Sequence, residues 1–116
     1  MLRIKDGLIK SLNNREYQLA RNNGKNSLHG GSVGWGKRIF SGPHLTQRNG
    51  KETVQFTYTS PDGEEGYPGT VELRVWYSTS KDNADGMQKI VLDMEYEVEL
   101  IGKECGETAV NITNHR

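Results

Sequence analysis

A single cysteine, Cys105, and three prolines are all that this 116-residue chain carries of two common structural constraints. One thiol cannot close an intrachain disulfide, which removes the staple of small secreted domains and points to a reducing compartment, the cytoplasm being the simplest. Long apolar runs are missing as well. The opening residues Met1-Leu2-Arg3-Ile4-Lys5-Asp6 hold no core of signal-peptide length, and no later stretch is apolar enough to span a bilayer. Charge of one sign is not in excess either, with 15 basic and 15 acidic side chains. That balance, and the lack of a Lys/Arg run, argue against nucleic acid or an anionic membrane as partner. It also removes the self-repulsion that keeps disordered chains open. Leu, Ile, Val and Phe total only 24 residues, so a thin core is expected.

The local signatures of several chemistries are absent. His29, His44 and His115 are far apart in sequence and no Cys-x-x-Cys or His-Glu-x-x-His occurs, so no metal is expected. The glycines follow neither the P-loop nor the dinucleotide spacing, and no cofactor is expected. Neither Cys105 nor any serine has a motif linking it to a base, which leaves nucleophilic catalysis without support. The sequon Asn111-Ile112-Thr113 is a short pattern with many false matches and is discounted.

What is present is a β period. Ile90, Leu92, Met94, Tyr96, Val98 and Leu100 alternate with Val91, Asp93, Glu95, Glu97, Glu99 and Ile101, which predicts a strand over 88–101 with one buried and one wet face. A second strand is predicted over 70–79, with Val71, Leu73, Val75 and Tyr77 on one side and Glu72, Arg74 and Trp76 on the other. The turn formers of 81–86 between them predict an antiparallel hairpin with a polar tip. Shorter strands are expected at 54–58 and 16–20, and turns at 22–26 and 47–51. No stretch carries a helical stripe with caps. The expectation is one all-β, antiparallel domain over 1–116 that needs a second sheet or a partner to cover its apolar faces.

Three segments stand out as candidate sites. His29 precedes Gly30-Gly31, where backbone can approach a ligand beside one imidazole, although an exposed turn is the simpler reading of that motif alone. His115 follows Asn111-Ile112-Thr113-Asn114 at the end of an expected strand, and His44 has no supporting motif and is read as a surface loop residue. The stretch Ser60-Pro61-Asp62-Gly63-Glu64-Glu65-Gly66-Tyr67-Pro68-Gly69 is too rich in turn formers and acids for an ordinary linker. Its acids have a structural reading, preferred here, and a second one as a ligand-binding rim, while Tyr67-Pro68-Gly69 is expected to set a corner. Trp35 and Trp76 suit either a core or a stacking platform, the core being commoner.

Together with Asn26-Ser27-Leu28-His29-Gly30-Gly31, Gly34-Trp35-Gly36-Lys37-Arg38 and Val110-Asn111-Ile112-Thr113-Asn114-His115, that stretch resembles the galactose mutarotase, or aldose 1-epimerase, family, its fungal branch in particular. The resemblance implies a large antiparallel β-sandwich with a sugar site in an open cleft, and interconversion of the α and β anomers of aldoses such as galactose and glucose. It implies that His115 is the acid that protonates the ring oxygen, that His29 hydrogen-bonds sugar hydroxyls, and that Arg3 anchors the sugar. The pattern departs from the family at Leu2, where an asparagine commonly precedes the arginine. No residue here matches the family's catalytic glutamate or its later aspartate, so the resemblance covers well under half of a full member. A partial sandwich implies raw sheet edges and self-association through them. A non-catalytic sugar-binding or partner-binding remnant is the alternative.

Overall fold

The structure, a computed structural model, describes residues 3–114. Eight strands follow one another: β1 (Arg3–Ile4), β2 (Leu8–Leu12), β3 (Arg15–Gln18), β4 (Ser27–Leu28), β5 (Ser41–Arg48), β6 (Lys51–Ser60), β7 (Val71–Asp82) and β8 (Lys89–Leu100). The last four form an antiparallel sheet in the order β5-β6-β7-β8, and β1-β4 and β2-β3 form two small antiparallel ladders. Helical structure among the described residues is limited to three-residue 3-10 turns. None of these is long and apolar enough to cross a membrane.

The register explains the alternation. Leu73 faces Tyr58 on one side and Val98 on the other, Val75 lies between Phe56 and Tyr96, and Tyr77 between Val54 and Met94. Because side chains alternate across a strand, these cross-strand rows share one apolar face. The opposite face is polar and paired. Arg48 donates to both oxygens of Glu95 at 2.8 Å and lies 3.5 Å over the Trp76 ring, which is 6% exposed. Arg74 reaches Glu72, Glu97 and Glu99. The acids of β8 thus do not simply face water as the alternation alone suggests. Two arginines hold most of them.

Burial of the apolar face is uneven. At the end near residues 60–69, Val71, Leu73 and Val75 are buried, Leu73 to 1% exposure. The segment beyond β8 is described as far as Asn114, whose side-chain amide lies 3.6 Å from the Met94 sulfur. Toward the hairpin tip the same face is open, with Ile90 at 78% and Leu92 at 55% exposure. The expectation that this row is buried fails there, because no second layer among the described residues reaches it.

Other differences are local. The 54–58 strand extends to ten residues, and the strand expected at 16–20 ends at Gln18, leaving Leu19 as a buried core residue. His44 lies on edge strand β5 and not in a loop, although it is exposed as expected. Residues 101–114 carry no ladder, so Asn111 to Asn114 do not end a strand. The segment is tied instead through the Thr108 hydroxyl, which donates to the Pro68 carbonyl, and the Ile101 and Gly102 N–H groups, which donate to the Thr70 carbonyl.

Candidate functional site

Residues 60–69 build a self-locked loop. The Asp62 carboxylate accepts the Gly69 N–H at 2.5 Å, and the Gly63 N–H donates to the Tyr67 carbonyl at 2.9 Å. Glu64 is turned inward, accepting from the Tyr58 hydroxyl at 2.7 Å and the Ser60 hydroxyl at 2.5 Å, with Arg38 at 3.0 Å. Burial, with the Glu64 carboxylate beside it, holds the Tyr58 phenol above its ordinary range. Glu65 reaches the other way. Its two oxygens accept the backbone N–H groups of Ser32 and Val33 at 3.1 and 3.0 Å. Both acids therefore hold structure, the reading preferred from the sequence.

Glu65 grips the segment that bears His29. There His29, Gly30 and Gly31 take φ of 53°, 78° and 111°, three consecutive left-handed residues. Glycine adopts this freely, whereas at histidine it costs about 1 kcal/mol or more. A Cβ at Gly34 would sit 2.7 Å from the His29 carbonyl oxygen, so the chain returns over itself here too closely for a side chain. The corner is clasped from below by Asn22. Its amide donates to the Leu28 and Gly31 carbonyls, both at 2.8 Å, and its oxygen accepts the Leu28 N–H at 2.7 Å.

A cavity of about 370 Å³ opens above this corner. Its lining combines His29 and Gly30 with Trp35, with Glu64, Glu65 and Tyr67 of the loop, and with residues 111–114. An aromatic face beside an imidazole and several amides is a monosaccharide-scale recognition surface, since sugar rings offer both C–H faces and hydroxyls. Among the described residues no group of three or more His, Cys, Asp or Glu side chains is placed to hold a metal.

The candidate residues fall as follows. His29 lines the cavity. Arg3 pairs with Leu28 across β1-β4, one residue from His29, but is not among the described lining residues. His115 lies outside the described residues, while 111–114 before it lie in the wall. Trp76 is sealed beneath Arg48, in keeping with the core reading, whereas Trp35 faces the cavity. Two contributors had no signal in the sequence reading: Asn22, inside a run of turn formers, and Asn111, treated there only as a neighbour of His115. Asn111 is 8% exposed, which also suits the dismissal of its sequon.

A strained imidazole corner and an aromatic wall thus share one cavity of an antiparallel β-protein. The comparisons carry this further. The aldose 1-epimerase family model matches residues 2–116, and the chain belongs to that family. It is 43% identical over 110 residues to the bifunctional protein GAL10 of Pachysolen tannophilus, covering 90% of this chain and 15% of that protein. To human galactose mutarotase it is 41% identical over 113 residues, 97% of this chain and 28% of that one. Among solved structures, a galactose 1-epimerase from Lactobacillus acidophilus superposes with a TM-score of 0.55 at 31% identity, covering 65% of this chain and 22% of that one. The all-β architecture is thus part of a mutarotase-like sandwich. The chain spans about a quarter or less of the length of the relatives it matches.

Proposed function

We propose that this chain forms the imidazole-bearing part of an aldose 1-epimerase site and binds aldoses of the galactose and glucose type. The observation that carries the reading is the shared cavity. His29, brought forward by its left-handed corner, and residues 111–114, which lead to His115, line one space of monosaccharide scale. In this reading His115 protonates the ring oxygen as the C1–O5 bond opens and recovers the proton on reclosure, a task suited to a group that titrates near neutrality. His29 orients ring hydroxyls, and Arg3, whose backbone pairs with Leu28 in β1-β4, anchors one by its guanidinium. The proton on the C1 hydroxyl needs a base, and no residue of this chain matches the family's glutamate. Catalysis by these residues alone is therefore slow, and binding is the primary expectation. The open end of the apolar face and the free flank of β8 favour self-association. The single thiol suits a cytoplasmic, reducing setting.

Titration calorimetry with D-galactose tests the reading. Saturable binding in the millimolar range, weakened in Arg3→Ala and in His115→Ala, is expected. Absence of saturable heat in the wild-type chain would refute it. Polarimetry of freshly dissolved α-D-galactose separates the alternative of a non-catalytic sugar-binding module: binding without any acceleration of anomerisation favours that alternative, and acceleration lost in His115→Ala favours the epimerase.

A further inference from the structure

Around the cavity three polar side-chain atoms that are closed to solvent come from three separate segments. Ser27 of β4 is 0% exposed and Asn111 of the tail 8%. The Ser27 hydroxyl, the Asn111 amide nitrogen and the Tyr67 hydroxyl are all closed to solvent without a well-formed hydrogen bond to any other group. Buried polar groups are paired in the great majority of cases, so three such atoms together call for a reason. Tyr67 and Asn111 line the same cavity, and Ser27 lies two residues before His29 of its corner. Burial pushes the Tyr67 phenol up, while the Asn111 and Ser27 side chains pull it down. Two contacts flank the group: the Thr108 hydroxyl donates to the Pro68 carbonyl at 2.5 Å, and the Asn111 carbonyl lies 3.6 Å from where a Gly30 side chain would begin.

We infer that Tyr67, acting with Ser27 and Asn111, is a positioning residue, a polar latch that holds the Asn111–Asn114 wall of the cavity against the His29 corner. In the latch the Asn111 amide and the Ser27 hydroxyl donate to the phenol oxygen. A loop whose shape is already set by Asp62, Glu64 and Glu65 thereby fixes the spacing between the two sides of the sugar pocket. This use of the latch rests on the sugar-binding reading above, but the latch itself does not.

The test uses Tyr67→Phe, Asn111→Ala and the double variant of the full chain. Two-dimensional amide spectra come first. In Tyr67→Phe the Asn111 side-chain amide resonances are expected to move, while those of Asn22, held by its own bonds, stay in place. No movement at Asn111 overturns the latch whether or not sugar binds. Calorimetry with D-galactose follows. Each single variant is expected to weaken binding about tenfold, the effect of one buried hydrogen bond, and the double variant is expected to be no weaker than either, because the two side chains act as a unit. Unchanged affinity in Tyr67→Phe, or fully additive losses, overturns the positioning role. Val54→Ala, on the sheet away from the cavity, guards against a mere loss of stability: it is expected to lower the melting temperature and leave affinity within about twofold. If the wild-type chain binds no galactose, the sugar-binding reading fails and the amide spectra alone decide the latch.

Discussion

Replacing Glu65 by glutamine changes one atom of the side chain and reverses one of its two contacts. The carboxylate accepts from the Ser32 and Val33 N–H groups at 3.1 and 3.0 Å. A glutamine keeps one acceptor oxygen and turns an NH₂ donor toward the other N–H. Hydrogen bonds to a charged acceptor contribute about 1.5–3 kcal/mol each when well formed. Ser32 and Val33 are exposed, so water takes over the released donor and the loss lies at the low end of that range. A destabilisation of about 1.5 kcal/mol corresponds, for a chain of this size, to about 6 °C in melting temperature. Differential scanning calorimetry measures it. Because Glu65 holds the segment that carries His29, galactose affinity should fall with it. Glu65→Gln within about 0.3 kcal/mol of wild type would show that the clamp does not form in solution, and the geometry of the His29 corner would need another cause.

Three further outcomes are expected. Leu73→Ala, which empties a fully buried site in the middle of the sheet, should cost about 3 kcal/mol in urea unfolding. Acid should erode stability through Glu95 and Glu104, whose carboxyls are held below the ordinary range chiefly by the Arg48 and Thr70 hydrogen bonds respectively. For a lowered folded-state value the contribution is complete above the unfolded value of about 4.3 and is lost as pH falls through the folded one, so melting temperature should drop on acidification below about pH 4.5, less steeply in Glu104→Gln. Ile90→Lys and Leu92→Lys, at the open end of the apolar face, should reduce dye binding and self-association seen by light scattering while leaving melting temperature nearly unchanged.

The long hairpin is legible in the sequence, because a strand's period of two writes burial directly into alternating residues. The strands expected over 70–79 and 88–101 lie at 71–82 and 89–100, the first running two residues into the turn expected at 81–86, whose polar side chains pair across the ladder as readily as they turn. What alternation cannot report is whether the face it marks is covered. Ile90 and Val98 belong to one apolar row, yet Val98 is half-buried and Ile90 exposed. Edge strand β5 was missed because Ser41-Gly42-Pro43-His44 reads as loop, and its irregular register with β6 over Ser41 to His44 shows why. Around the site, the glycine pair after His29 announced a tight corner. The groups that hold that corner, Asn22 and Glu65, bond to backbone atoms, and a sequence gives no sign of which carbonyl or N–H a side chain will find. Ser27, Tyr67 and Asn111 meet only through the fold, at separations that leave no local pattern.

The left-handed main chain at His29 governs how that residue can be interrogated. A β-branched replacement such as valine resists φ near 53° and would move the corner along with removing the ring, so its effect could not be assigned to either. Asparagine tolerates that dihedral and deletes the imidazole while sparing the path of the chain. Only a substitution matched to the backbone in this way turns the loss of a ring into a measurement of what the ring does.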